Sequence, residues 1–317
     1  MRSLLDNRIL IVLGKGGVGK SVVAGAIGLH AATSGRKALI AEMNGQETQA
    51  AIWSRPHVGY EGGPLSDRLD AVSITPSGAV EEYLVRALKF RALYDLVFRN
   101  RYIEPLMNGI LGLSDLCSIG KVMDLEWHRT SGAFGPDAEG PYRHDLIVVD
   151  APATGHGLAM LRAPQAMMDI TRVGPLFQNS RLIRDLICSE DKCSVVLVTL
   201  PEELPVMETL ETATVLREQL NIQVAGVIVN AMPPEDGDWS PALWDELQQL
   251  TAATGGHARA AVDTTLRVQR RRERAEHLVE DLQQKLAVPI LEFPELNDHP
   301  IGPQSLLQLS SRLKAWT

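Results

Sequence analysis

Residues 14–21 read Gly-Lys-Gly-Gly-Val-Gly-Lys-Ser and follow directly on the apolar run Ile9-Leu10-Ile11-Val12-Leu13. The order fits G-x-x-x-x-G-K-[ST], a loop that wraps phosphate. Glycines at 14, 16, 17 and 19 let the backbone curl until successive N–H groups face an anion. A helix opening near Lys20 adds the positive end of its dipole. Lys20 is expected to neutralise the β- and γ-phosphates of a bound ATP or ADP, and the Ser21 hydroxyl to ligate Mg2+. Gly14, Gly16, Gly17, Val18, Gly19, Lys20, Ser21 and Val22 are the expected nucleotide contacts. The context agrees, with a β-type run before the loop and a helix-permissive run, Ser21 to Thr33, after it.

Working outward, Gly35 ends that helix and Lys37 to Ala41 is a second buried strand, which makes a βαβ unit and calls for a parallel sheet. Residues 42–66 read as a loop holding a short helix around Glu47 to Trp53, and Leu69 to Thr75 as an edge strand. Residues 77–128 are helical and interrupt the sheet, so they are expected to form an inserted subdomain within a single domain spanning 1–317. A loop over 130–144 leads to a strand at Asp145 to Asp150. Helix over 158–188, with breaks near Pro164 and Pro175, precedes a strand at Ser194 to Leu200. Then come a helix from Glu202 to Leu220, a strand from Ile222 to Val229 and a loop over 232–240. Helices over 241–253 and 262–286, a strand from Val288 to Phe293 and a helix from Gln304 to Trp316 close the chain. The class is α/β, a doubly wound, mostly parallel sheet with nucleotide at the C-terminal ends of its strands.

The 317 residues carry a formal net charge of −8, with 45% apolar and 22% charged residues. That balance is ordinary for a globular protein and does not favour nucleic acid. The basic run Arg267 to Arg274 is interleaved with acids and reads as a solvated, salt-bridged helix face. Three cysteines, Cys117, Cys188 and Cys193, do not make a disulfide framework and suit a reducing compartment. The five-residue apolar run before the glycines is too short for a signal peptide, and no stretch approaches the roughly 20 apolar residues of a membrane span. A cytoplasmic protein is expected, with membrane contact at most through a client or partner.

Asp150 ends an apolar strand, where an acid can hold a Mg2+-bound water or Ser21 in place. The run after it reads D-A-P-A-T-G-H-G-L-A-M-L-R-A-P, from Asp150 to Pro164. Gly155 and Gly157 would let this loop change conformation when a γ-phosphate is present or lost. His156 is either structural or a reporter of that change.

With Lys15 inside the loop, the form K-G-G-x-G-K-S resembles the deviant Walker A of the SIMIBI-class ATPases. The Thr154-Gly155-His156 continuation resembles the switch II of one branch, ArsA and the tail-anchored-protein-targeting ATPases, of which this chain looks like a bacterial-type member. The resemblance runs from residue 8 to about 315. It implies ATP hydrolysis coupled to dimer closure and to the handling of a partner or client. It implies that Lys15 reaches the nucleotide of a second subunit, that Asn230 reads adenine and that Pro294-Glu295-Leu296 closes over the base. It also implies that the helical insert forms a hydrophobic groove for a client helix, the other reading being that its apolar residues pack their own small bundle.

One departure bears on catalysis. The family carries Asp-Pro after the second strand, and here Asn44 stands at the Asp position. An amide cannot accept a proton as a carboxylate does, though it can position a water. Either the chain hydrolyses ATP slowly, with Glu42 substituting from two residues upstream, or it is the weaker half of a heterodimer with an active paralogue rather than a homodimer. The C-x-x-x-x-C spacing of Cys188 and Cys193 is poor for zinc and does not match the thiol site of a metalloid pump, so the cysteine pattern argues against arsenite efflux, the third reading.

Overall fold

The computed structural model describes residues 3–43, 45–88, 112–234, 249, 256–298 and 300–316. β1 (Ile9–Gly14) lies at the middle, with every residue buried. Continuous aliphatics form such a strand where both sheet faces are covered. Among the described residues the sheet has eight strands in the order β3-β4-β2-β5-β1-β6-β7-β8. The others are β2 (Ala38–Glu42), β3 (Gly63–Ser66), β4 (Leu69–Ser73), β5 (Leu146–Asp150), β6 (Cys193–Thr199), β7 (Val224–Met232) and β8 (Ile290–Pro294). All neighbours run parallel except β3 against β4.

The helices divide by the alternation of the strands. Leu10 and Val12 of β1 face a core shared with α1 (Lys20–Thr33) and α9 (Pro303–Arg312). Ile9, Ile11 and Leu13 face the opposite core. That side is covered by α4 (Leu113–Trp127), α5 (Thr154–Thr171), α6 (Pro175–Ile187), α7 (Glu203–Thr214) and α8 (His257–Lys285). A short α2 (Thr48–Ile52) sits between β2 and the hairpin, and α3 (Pro76–Leu88) packs on α4. Leu116, Ile119, Val122 and Met123 of α4 share their core with Ile9, Ile147 and Val149 of the sheet.

The doubly wound α/β class read from the sequence is the observed one. Several boundaries differ for physical reasons. β3 lies inside the stretch read as loop, because a short antiparallel edge strand with Gly63 and Pro64 has almost no hydrophobic signature. β4 is therefore covered by β3 and is not the edge. α5 begins at Thr154 and runs through Pro164, which is buried together with Met160, Leu161, Ala163 and Met167. Packing on that face outweighs the backbone hydrogen bond that proline removes. Residues 89–111, the middle of the expected insert, and all of the expected helix over 241–253 but residue 249 lie outside the described residues. Among the described residues no helix is long and apolar enough to cross a membrane.

Candidate functional site

The glycine loop leaves β1 at Gly14 and re-enters helix at Lys20. It can do so only without side chains at two points. A Cβ on Gly14 would lie 2.2 Å from the Val198 carbonyl oxygen of β6. Gly19 has φ +90°, and its Cβ would lie 2.3 Å from the Asn230 amide nitrogen. Between them Val18 is buried in the α1-side core, while Gly16 and Gly17 are exposed. Asn230 Nδ2 donates to the Val18 carbonyl at 2.9 Å, so β7 pins the loop from below. Lys20 folds back and donates from Nζ to the Lys15 carbonyl at 3.0 Å. Burial lowers the Lys20 pKa, and Asp150 opposes that shift. Ser21 and Val22 follow, half-buried, in the first turn of α1.

Lys15 points away from its own loop. Its Nζ lies 2.7 Å from Glu208 Oε1 on α7, with the two side chains 37% and 36% exposed. An ion pair that open contributes about 0–1 kcal/mol, so it is readily exchanged for another partner.

Beneath Ser21 two acids stand side by side. β2 and β5 are paired with Glu42 in register with Asp150, and the two residues are 0% and 1% exposed. Glu42 Oε1 accepts from the Gln49 backbone N–H at 3.2 Å. The Gln49 side-chain amide donates to the Ser21 carbonyl at 2.7 Å. Glu42 Oε2 and both Asp150 carboxylate oxygens have no partner in hydrogen-bond geometry. Burial pushes the Glu42 carboxyl up to about 7. Burial likewise raises Asp150 to about 6, with nearby Ser21 and Lys20 pulling the other way. A buried carboxylate beside a hydroxyl at the foot of a phosphate loop is a donor set for a hard cation, so Ser21 and Asp150 fit Mg2+.

The segment after Asp150 enters α5 at once. His156 Nε2 lies 3.3 Å from Asp115 Oδ1 at the start of α4, which ties this turn to the helical layer. Gly157 has a packing reason, because a Cβ there would lie 2.4 Å from Leu13 Cδ1. Nothing stands within 4 Å of the equivalent point on Gly155. At the other side, Pro294 ends β8 and the Glu295 N–H donates to the Met232 carbonyl at 2.8 Å. The Glu295 carboxylate pairs with Arg271 of α8 at 2.9 Å, and Leu296 packs against the α1-side core.

Asn44 lies outside the described residues. Its neighbour Met43 is buried, and the Met43 N–H donates to the Asp150 carbonyl at 3.1 Å. Cys117 and Cys193 sit in the hydrophobic core, where burial pushes both thiols up to about 12. Cys188 donates from Sγ to the Leu220 carbonyl. Among the described residues no group of three or more His, Cys, Asp or Glu is arranged to hold a metal. Sequence reasoning did not single out Glu208, Gln49 or Asp115, which act at long range. Pairing Glu42 with Asp150 was within its reach, since β2 and β5 each close an aliphatic run with an acid.

Comparison with known proteins points the same way. The family model described as anion-transporting ATPase matches residues 7–187. ATPase BagA of Mycobacterium tuberculosis is 29% identical over 96% of this chain and 92% of its own length. A Halobacterium salinarum protein named "Putative arsenical pump-driving ATPase" is 24% identical over 96% of this chain and 44% of its own length.

Proposed function

The chain belongs to the ArsA-type, anion-transporting ATPase family, and from that premise we propose that it works as a nucleotide-gated dimer. As a member it is an ATPase, converting ATP and water to ADP and phosphate. The observation that carries the dimer reading is the position of Lys15. Its ammonium is turned out of its own loop and held by one half-exposed ion pair with Glu208. Leu204 and Met207, 59% and 58% exposed, stand four residues and one residue before Glu208 on the helix that holds Lys15. Uncovered apolar side chains around a weakly held lysine suit a face that a second subunit closes.

In the proposed closed state Lys15 leaves Glu208 and meets the nucleotide of the partner subunit. Lys20 leaves the Lys15 carbonyl for the β- and γ-phosphates of its own nucleotide. Ser21 and Asp150 would hold Mg2+, which would supply charge neutralisation at the phosphates. Asn230 already steadies the loop, and in this reading it would also meet an adenine edge, with Glu295 and Leu296 closing from β8. The His156–Asp115 pair gives the switch turn a direct hold on α4, and through α4 on the helical region that would handle a client or partner.

Light scattering with and without ADP and aluminium fluoride tests this. The wild-type chain is expected to dimerise with nucleotide, and Lys20→Ala to lose nucleotide binding. Lys15→Ala is expected to bind ADP normally yet lose turnover by about a hundredfold or more. A wild-type chain that hydrolyses ATP as a monomer, with Lys15→Ala as fast, would remove the dimer reading.

A second reading rests on Asn44. With an amide where the family carries a carboxylate, this chain would be the weaker half of a pair and lend Lys15 to an active paralogue. Asn44→Asp is then expected to raise turnover by about tenfold or more. Arsenical pumping, printed in the name of the halobacterial relative, has less support, because Cys117 and Cys193 are spent in the core.

A further inference from the structure

Glu42 has no part in the mechanism above, yet it is the most completely covered acid of the site. A glutamate at a strand end ordinarily turns to water. Here it is 0% exposed, one oxygen is taken by the Gln49 N–H, and the other has no donor. Asp150, directly beside it in the β2–β5 ladder, has the Ser21 hydroxyl as its polar neighbour and neither carboxylate oxygen in a well-formed hydrogen bond. Buried polar groups are nearly always partnered, and two carboxylates side by side repel. Core packing alone would select an aliphatic side chain at position 42, as at Ala38, Leu39, Ile40 and Ala41 before it. The Lys20 ammonium donates to the Lys15 carbonyl instead. Carboxylate oxygens so placed, next to the Ser21 hydroxyl, are the donor set that a hard cation takes.

We infer that Glu42 is a second carboxylate of the Mg2+ site, reaching the hydration shell of the ion that Ser21 and Asp150 hold. Gln49 is its positioning residue. Its backbone N–H fixes one Glu42 oxygen and leaves the other free, while its side-chain amide fixes the Ser21 carbonyl. One residue of α2 thereby holds the acid on β2 and the hydroxyl residue on α1 in a common frame. This inference rests on the reading that the chain binds a Mg2+–nucleotide.

The test is equilibrium binding of a fluorescent ADP analogue, titrated with Mg2+ and repeated in EDTA. Glu42→Gln is expected to raise the half-saturating Mg2+ concentration about tenfold, the usual range for removing a supporting ligand. Its affinity for the analogue in EDTA should stay within about twofold of wild type, because the phosphate loop is untouched. Glu42→Asp keeps the charge but is one methylene short, so its shift should be smaller than that of Glu42→Gln. Melting curves of both variants report folding. Folded variants with the wild-type Mg2+ dependence would overturn the inference while leaving nucleotide binding in place. A wild-type chain that binds no nucleotide under any condition would instead remove the reading on which it rests.

Discussion

At Gly14 a single methyl group would collide with a backbone carbonyl, and at Gly19 with an amide that holds the loop. These two positions show how a residue-level constraint becomes a binding site, since an empty side chain is what lets N–H groups line a phosphate. Glu42 shows the reverse, a full side chain kept where a carboxylate is unwelcome. Its folded-state pKa, raised by burial to about 7, lies above the usual carboxylate value of 4.5. The native state then binds the proton more tightly than the unfolded chain does. The stabilisation is full below about 4.5 and is lost as pH rises through about 7. In EDTA, denaturant unfolding should therefore show wild type losing on the order of 2–3 kcal/mol between pH 5 and 8 from this group. Glu42→Gln should flatten that slope, leaving the smaller share that Asp150 contributes in the same direction. Equal slopes in the two proteins would contradict the assigned burial of the charge.

At the scale of elements, α5 is held against β1 more closely than its sequence suggests. Gly157 meets Leu13 and the Pro152 carbonyl, so the helix lies flush on the strand that feeds the phosphate loop. Gly157→Ala should destabilise the protein by about 1–3 kcal/mol through overpacking, read as a lower melting temperature. A flexible-hinge role would predict little change, because alanine favours helix. α4 is the element whose assignment moved furthest in meaning. Its apolar face reads equally well as an insert packing on itself, but Leu116, Ile119 and Val122 belong to the central core, and Asp115 at its start meets His156. In the proposed switch, movement of the turn after Asp150 would bear on α4 through the His156–Asp115 contact.

For the whole molecule, the C-terminal segment closes the α1 side of the sheet. α9 and the 3-10 turn Leu313–Trp316 pack against α1 and the strands, with Leu306, Leu309 and Leu313 fully covered. Trp316 is 8% exposed and fills the space over Gly226, where a Cβ would lie 2.4 Å from its ring. Trp316→Ala should cost about 3–5 kcal/mol in global stability, measured by chemical denaturation. α1 carries Lys20 and Ser21, but at its far end from that tryptophan's cavity. ADP affinity of the folded variant should then change by less than about threefold, well inside one step of the affinity scale. A large loss of affinity with normal stability would contradict that separation.

Much of this was legible in the sequence. The run Ile9 to Ser21 determined a strand, a phosphate loop and a helix, because each depends on local chemistry: aliphatics for a strand buried on both faces, glycines for a tight anion-facing turn, and a lysine and serine at the helix start. The alternation of such runs determined the doubly wound sheet, and Asp150 was marked by its place at a strand end. The short edge strand β3 left no trace, because it has too few apolar residues to show a period. The continuation of α5 through Pro164 was decided by the core beneath it. Glu208 against Lys15, Asp115 against His156 and Gln49 bridging Glu42 to Ser21 were decided only in three dimensions. Each joins groups brought together by strand order, and no local pattern records which distant side chain a parallel sheet will set beside another.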